Sequence, residues 1–279
     1  MTDQQKRARL REILADRRGA VAPGVTDALF ARLSQDCGYD VVHLSGNAIH
    51  KSFCLPDRNL LNVTQIAQRA GQISEAIDIP LIVDGGSASI EAIALGRAVK
   101  YFERAGAAAI RFEDSLVNEY GAAVEALIIA PLARMVDRIK TAVDARTDAG
   151  LVLIVRCDAR PKETLPQVLE RMAAYTDAGA DAIGVQLSDS EEFRHMGANA
   201  PAPLVSMWPR ARMTAVEFLR MGFRVALMPS SVSVAALGAA REMLLTLKEK
   251  GSERDYFARV KDLKDIEHWY GNLGSERKY

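Results

Sequence analysis

Four stretches of the chain share one pattern: a helix-like approach, a glycine, a short gap and then an apolar run. They read QDCGYDVVHLS, ERAGAAAIRFE, TDAGADAIGVQ and LRMGFRVALMP, with Gly38, Gly106, Gly179 and Gly222 at the pivot. Glycine closes a helix because it enters the left-handed conformation at little cost. The apolar runs lack polar alternation, as expected of strands covered on both faces. Each stretch is therefore a helix-to-strand junction of a repeated βα unit.

Other apolar runs complete the set. Strands are predicted at 19–23, 40–45, 80–86, 108–114, 151–158, 181–187, 203–208 and 224–231, with helical periodicity at 62–77, 89–105, 131–146, 164–178 and 232–250. Eight strands alternating with helices over about 250 residues predict a (β/α)8 TIM barrel, with an open doubly wound sheet as the competing architecture. No Pro-, Gly- or Ser-rich linker interrupts the pattern, so residues 1–279 are expected to form one barrel domain, with 232–279 as its C-terminal helical region. Within that tail Tyr256, Phe257, Val260, Leu263, Ile266 and Trp269 fall near helical spacing. Such a face either covers the barrel bottom or docks on a neighbouring subunit.

Composition narrows the function. Of 279 residues, 49% are apolar and 26% charged, and 36 basic residues balance 36 acidic ones. A neutral chain gives no electrostatic reason to expect nucleic acid or an anionic membrane as partner. No apolar run approaches the roughly 20 residues a membrane span needs, and the charged start MTDQQKRARLREIL lacks a signal-peptide core. Cys37, Cys54 and Cys157 form no metal motif and no even disulfide set, so a cytoplasmic location is expected.

Barrel active sites lie at the C-terminal ends of the strands. Those ends carry Ser45-Gly46-Asn47, Asp84-Gly85-Gly86, Glu113-Asp114, Arg156-Cys157-Asp158, Gln186, Trp208 and Ser230-Ser231. Arg156 follows an apolar run, so its charge needs an acidic partner or an anionic ligand. Asp84 is a functional acid or a helix cap, and Glu113-Asp114 are site acids or structural partners of Arg156. Acids with room for water suit Mg²⁺ or Mn²⁺, and an arginine fork beside them suits a carboxylate. His43 is expected to be a satisfied core residue, and His50, His195 and His268 to be exposed. Cys54 and Cys157 are expected to serve packing rather than nucleophilic chemistry.

At these same residues the chain resembles the isocitrate lyase/phosphoenolpyruvate mutase superfamily. PGVTDALFARL is similar to the family's PGxxDALSARL, and HLSGNAIHKSFCLPD to YLSGxxxxxSxGxPD. PLIVDGG sits where the family has PLIVDxDxGxG, ERAGAAAIRFED resembles ERAGAAAIxIED, and LVLIVRCDAR resembles xxIIARTDAR. The resemblance implies a barrel whose eighth-unit helix is swapped between subunits of a homo-oligomer, a dimer of dimers. It also implies that Ser45, Gly46, Asn47 and Arg156 hold a small-molecule carboxylate substrate, with Asp84, Glu113 and Asp57 around Mg²⁺ or Mn²⁺.

The departures are equally specific. The second acid of D-x-D is Gly86, and the lyase signature K-[KR]-C-G-H is replaced by SLVNEYGAAVEA. The glutamate ending the sixth strand is Gln186, and PSSVSV stands where a related branch has a histidine. These departures argue against a methylisocitrate lyase proper; with them, the resemblance implies a carbon–carbon lyase or decarboxylase that works through an enolate of a 2-oxo or 2-hydroxy carboxylate, with a weakened metal site. Tyr120, Ser230 and Ser231 are candidate proton donors. The alternatives are P–C chemistry of the phosphonopyruvate type, with Asn118 in the replaced loop, and a non-catalytic carboxylate binder.

Overall fold

A computed structural model describes residues 1–56, 60–86, 92–117, 127–187, 189–209 and 212–259. Asp57, Asn118, Tyr120, His268 and the tail positions Val260, Leu263, Ile266 and Trp269 lie outside these residues. The chain gathers into two compact units, Met1–Ser233 and Val234–Tyr279.

The first unit decides between the two predicted architectures in favour of the barrel. Its strands are β1 (Ala20–Val25), β2 (Val42–Leu44), β3 (Leu81–Gly86), β4 (Ala109–Glu113), β5 (Ser115–Val117), β6 (Ile128–Ile129), β7 (Val152–Cys157), β8 (Ala182–Val185), β9 (Leu204–Met207) and β10 (Phe223–Met228). Eight of them close in the order β1-β10-β9-β8-β7-β4-β3-β2, and every barrel pairing is parallel. β5 and β6 form a separate antiparallel ribbon after the fourth barrel strand. Gly38, Gly106, Gly179 and Gly222 all take positive φ, as the junction pattern requires.

Outside the barrel lie α1 (Asp3–Ala15), α2 (Ala28–Asp36), α3 (Gly46–Ser52), α4 (Val63–Ala76), α5 (Ala92–Arg104), α6 (Leu132–Ala145), α7 (Leu165–Asp177), α8 (Ser190–Asn199) and α9 (Ala215–Arg220). Five lie outside the stretches of predicted helical periodicity: α1, α2, α3, α8 and α9. α1 is informative. It starts at a Thr2–Gln5 capping box and buries Leu10, Ile13 and Leu14 against Ala22, Val41, Ile82, Ala109, Val152, Ile154, Ala182, Val205, Val225 and Leu227. At about 1.5–3 kcal/mol for each large aliphatic side chain, α1 is a stable plug for the barrel's N-terminal end. Its basic residues hold that seat. Arg7 donates to the carbonyls of Ala107 and Glu103, Arg11 to that of Gly150, and Lys6 to that of Ser74. The bottom of the barrel is thus sealed by the N-terminal helix.

That interior cluster also fixes strand parity. Side chains alternate across a strand, so the inward set continues toward the C-terminal mouth as Gly24, His43, Asp84, Arg111, Glu113, Arg156 and Gly184. Ile110, Phe112 and Asp114 face the helices instead.

In the second unit, α10 (Ser231–Lys250, which begins in the first unit) is followed by α11 (Arg254–Phe257). Tyr256 packs edge-on to Phe257 and donates its hydroxyl to the carbonyl of Ala239. Val234, Leu237, Leu244 and Leu245 are exposed along α10. No helix among the described residues is long and apolar enough to cross a membrane.

Candidate active site

The mouth is built from the ends of β2, β3, β4 and β7. β2 delivers Ser45, which caps α3 by accepting from the backbone N–H of Ala48 at 3.4 Å. Ser45-Gly46-Asn47 therefore open a helix, where a loop was expected. The N–H of Gly46 donates to Asp84 Oδ2 at 3.4 Å, and Asn47 Oδ1 accepts from the hydroxyl of Ser230 at 3.2 Å. His50 holds this turn in place: Nδ1 contacts the Gly46 carbonyl at 2.7 Å, and Nε2 accepts from the N–H of Leu61 at 3.3 Å. It is buried, where its polar neighbours in sequence predicted exposure. Cys54 is exposed, contrary to the expected packing role, while Cys157 is buried and its thiol is pushed up by desolvation.

Asp84 sits at the centre of a set of donors. Its Oδ2 accepts from Arg111 Nη1 at 3.0 Å as well as from Gly46, and its Oδ1 accepts from the N–H of Gly86 at 3.1 Å. Burial works against its charge, but Arg111, His43, Arg156 and the N–H of Gly86 together outweigh that penalty and hold the carboxyl below its ordinary range. Gly86 takes a φ of 55°, so it turns the strand end back onto Asp84 in a conformation few side chains tolerate.

Glu113 and Asp158 share Arg156, whose Nη2 contacts Glu113 Oε2 and Asp158 Oδ2. Burial opposes the guanidinium charge, and Glu113, Asp158 and Asp84 together overcome it and raise the group's pKa. Burial, reinforced by Asp158 and Asp84, raises the Glu113 carboxyl despite Arg156. Gly184 on the adjacent strand leaves room for this arginine. A Cβ there would lie 3.3 Å from Arg156 Cβ and Cγ.

Asp114 belongs to a different network behind the strand, accepting from Tyr175 Oη at 2.8 Å and from the N–H of Asp158 at 2.8 Å. Of the predicted site residues, Ser45, Gly46, Asn47, Asp84, Glu113 and Arg156 converge on the mouth. Asp57 lies outside the described residues.

Three participants were not singled out from the sequence as site residues. Arg111 and Asp158 follow from strand parity, two residues from Glu113 and Arg156 respectively. His43 is the third. It is buried, yet neither ring nitrogen has a partner among the described residues, and burial pushes its pKa down to about 4. It is therefore neutral at pH 7, with one donor and one acceptor available. The Nε atoms of Arg111 and Arg156 and Asp158 Oδ1 are likewise buried without a partner among the described residues. Buried polar groups are normally satisfied, and five of the unpartnered atoms gather at this one mouth.

The Mg²⁺ or Mn²⁺ expected on Asp84, Glu113 and Asp57 would need free carboxylate oxygens. Asp84 already accepts three N–H donors, and Glu113 is paired to Arg156. The position of the second acid offers a backbone N–H from Gly86 in place of an oxygen. Among the described residues no three His, Cys, Asp or Glu side chains are grouped to hold a metal. Among the described residues the unpartnered atoms at the mouth are three donors against two acceptors, Asp158 Oδ1 and one His43 nitrogen, a balance that fits an anion better than a divalent cation.

Comparison with known proteins extends this picture. A family model described as phosphoenolpyruvate phosphomutase matches residues 10–248. A 2-methylisocitrate lyase of Aeropyrum pernix is 34% identical over 251 residues, covering 88% of this chain and 81% of that protein. A 2,3-dimethylmalate lyase of Eubacterium barkeri is 30% identical, covering 86% of each. Among solved structures, a phosphonopyruvate hydrolase in complex with oxalate and Mg²⁺ superposes with a TM-score of 0.85 at 26% identity, over 98% of this chain and 96% of that one.

Proposed function

The chain belongs to the phosphoenolpyruvate phosphomutase family, within the isocitrate lyase/phosphoenolpyruvate mutase superfamily, and from that premise we propose that it is a carbon–carbon lyase. Its substrate would be a small 2-oxo or 2-hydroxy carboxylate. The observation that carries the reading is Arg156: a largely buried guanidinium at the end of β7, whose Nε has no partner among the described residues, inside a barrel whose curated relatives are named as lyases.

In this reading Arg156 docks the substrate carboxylate, which a planar fork can hold in one orientation. The Ser45-Gly46-Asn47 turn closes over it, and His50 fixes that turn. When the bond beside the oxo or hydroxyl carbon breaks, negative charge develops on the oxygen of an enolate. Positive charge already in place at the mouth stabilises that oxygen without reorganising during the reaction. Asp84 keeps Arg111 charged and oriented, and Glu113 and Asp158 do the same for Arg156. The enolate carbon can take its proton from water, so no residue equivalent to the absent lyase cysteine is required for decarboxylation.

The test is a substrate panel of oxaloacetate, 2-methylisocitrate, 2,3-dimethylmalate and phosphonopyruvate, followed by release of pyruvate or another oxo acid. Turnover of a carbon–carbon substrate supports the proposal. Turnover of phosphonopyruvate alone would replace it with P–C bond chemistry, and consumption of none would leave a carboxylate-binding protein without lyase activity.

A further inference from the structure

We infer that the guanidinium of Arg111 takes the place of the divalent cation in this chain, so that the site accepts its carboxylate ligand without Mg²⁺. The inference rests on the proposed carboxylate site and adds the identity of the charge that serves it.

Arg111 lies on the inward face of β4, one inward position below Glu113, and is 3% exposed. Its partner is Asp84, across the β3–β4 pairing in which the two residues are register neighbours. A carboxylate and a guanidinium at 3.0 Å satisfy each other, and a metal at Asp84 would have to displace one cation with another. The remaining donors on Asp84, the N–H groups of Gly46 and Gly86, occupy oxygen lone pairs that a metal would need.

Among the described residues the atoms left over at the mouth are three donors against two acceptors: Arg111 Nε, Arg156 Nε and one N–H of neutral His43, beside Asp158 Oδ1 and the other His43 nitrogen. An anionic oxygen satisfies such donors, whereas a cation satisfies none of them. Gly86 fits as well: where a second carboxylate would draw in a metal, a backbone donor turns toward Asp84. Mg²⁺ demands near-octahedral oxygen ligation and loses its waters reluctantly. Asp84 as held here offers little incentive.

The experiment uses the full-length chain and oxalate, an enolate-like dianion, as the probe. Its affinity is measured by calorimetry in EDTA and again in saturating MgCl2. In parallel, Mn²⁺ is titrated with protein and its free signal followed by electron paramagnetic resonance. The expected result is oxalate binding of equal affinity in EDTA and in Mg²⁺, with Mn²⁺ remaining free. Oxalate affinity that rises by about tenfold or more with Mg²⁺ overturns the inference while leaving the carboxylate site intact. Absence of oxalate binding in both conditions overturns the carboxylate site itself, and the inference with it. Arg111→Met supplies a second arm. It should lose oxalate affinity in EDTA and regain it with Mg²⁺, because Asp84 is then free to ligate. Wild-type affinity in EDTA for Arg111→Met contradicts the inference. Should that variant fail to fold, the wild-type comparison decides alone.

Discussion

Replacing Arg156 by methionine would leave Glu113 and Asp158 facing each other without their common cation. Both side chains are 5% exposed, so water cannot substitute for the guanidinium. Breaking a buried ion pair by removing one partner costs roughly 3–5 kcal/mol. At roughly 2–4 °C of melting temperature per kcal/mol for a domain of this size, the expected loss is about 6–20 °C. The loss should depend on pH, and its sign follows from Glu113. Burial already raises the folded-state pKa of this carboxyl above its unfolded value, and removing Arg156 raises it further. A raised carboxyl favours the fold when protonated, and that contribution is lost as pH rises through the folded pKa. The variant should therefore lie closer to wild type at about pH 5 than at about pH 8. Calorimetric melting of both proteins at the two pH values is the assay. A variant that melts within about 2 °C of wild type at the higher pH, a shift worth only about 1 kcal/mol or less, would refute the claim that Arg156 neutralises this pair. Arg156→Lys keeps the charge and loses the fork. Losing a desolvated charged contact costs roughly 2–5 kcal/mol, so KM for the carboxylate substrate should rise by about 30-fold or more.

Asp84→Ala removes the counter-ion of Arg111 and an acceptor of the Gly46 N–H, and turnover of any active member of the substrate panel should fall to background; retained turnover would place the chemistry elsewhere. Gly184→Ala puts a Cβ 3.0 Å from the Val205 carbonyl and 3.3 Å from the Arg156 stem; it should cost roughly 1–3 kcal/mol in a melt and raise KM along with it, whereas an unshifted KM would separate Arg156 from substrate docking. The exposed Leu237 and Leu244 of α10 are expected to be covered in a homo-oligomer, a tetramer in sedimentation; Leu237→Glu with Leu244→Glu should lower that state, and a wild-type chain that sediments as a monomer would contradict it.

The barrel was legible because its strands are short apolar runs and its helix ends are marked by glycines that adopt the conformation the pattern requires. Helix α1 escaped for the opposite reason. Leu10, Ile13 and Leu14 stand among charges, and Lys6 and Arg7 are buried through hydrogen bonds to carbonyls that are distant in sequence. The site residues at strand ends were legible because the fold places them. Arg111 lies short of the end, inside the run AAIRFED, where attention to terminal residues passes over it. The argument that a charge inside an apolar strand needs a partner applies to Arg111 as much as to Arg156, and parity with Glu113 would have turned it inward. His50 differs from the expected exposure because its ring is held by the Gly46 carbonyl and the N–H of Leu61, a tertiary environment that its polar sequence neighbours do not report.

The central claim is that the C-terminal mouth is a carboxylate site organised by Arg156. A crystal structure of the full-length chain soaked with oxalate tests it most directly. The account predicts oxalate at the mouth, one carboxylate on Arg156 and the other within reach of Arg111 and the Gly46 turn, with the Nε atoms now satisfied. Oxalate bound away from Arg156, or a mouth unchanged at saturating oxalate, would contradict it.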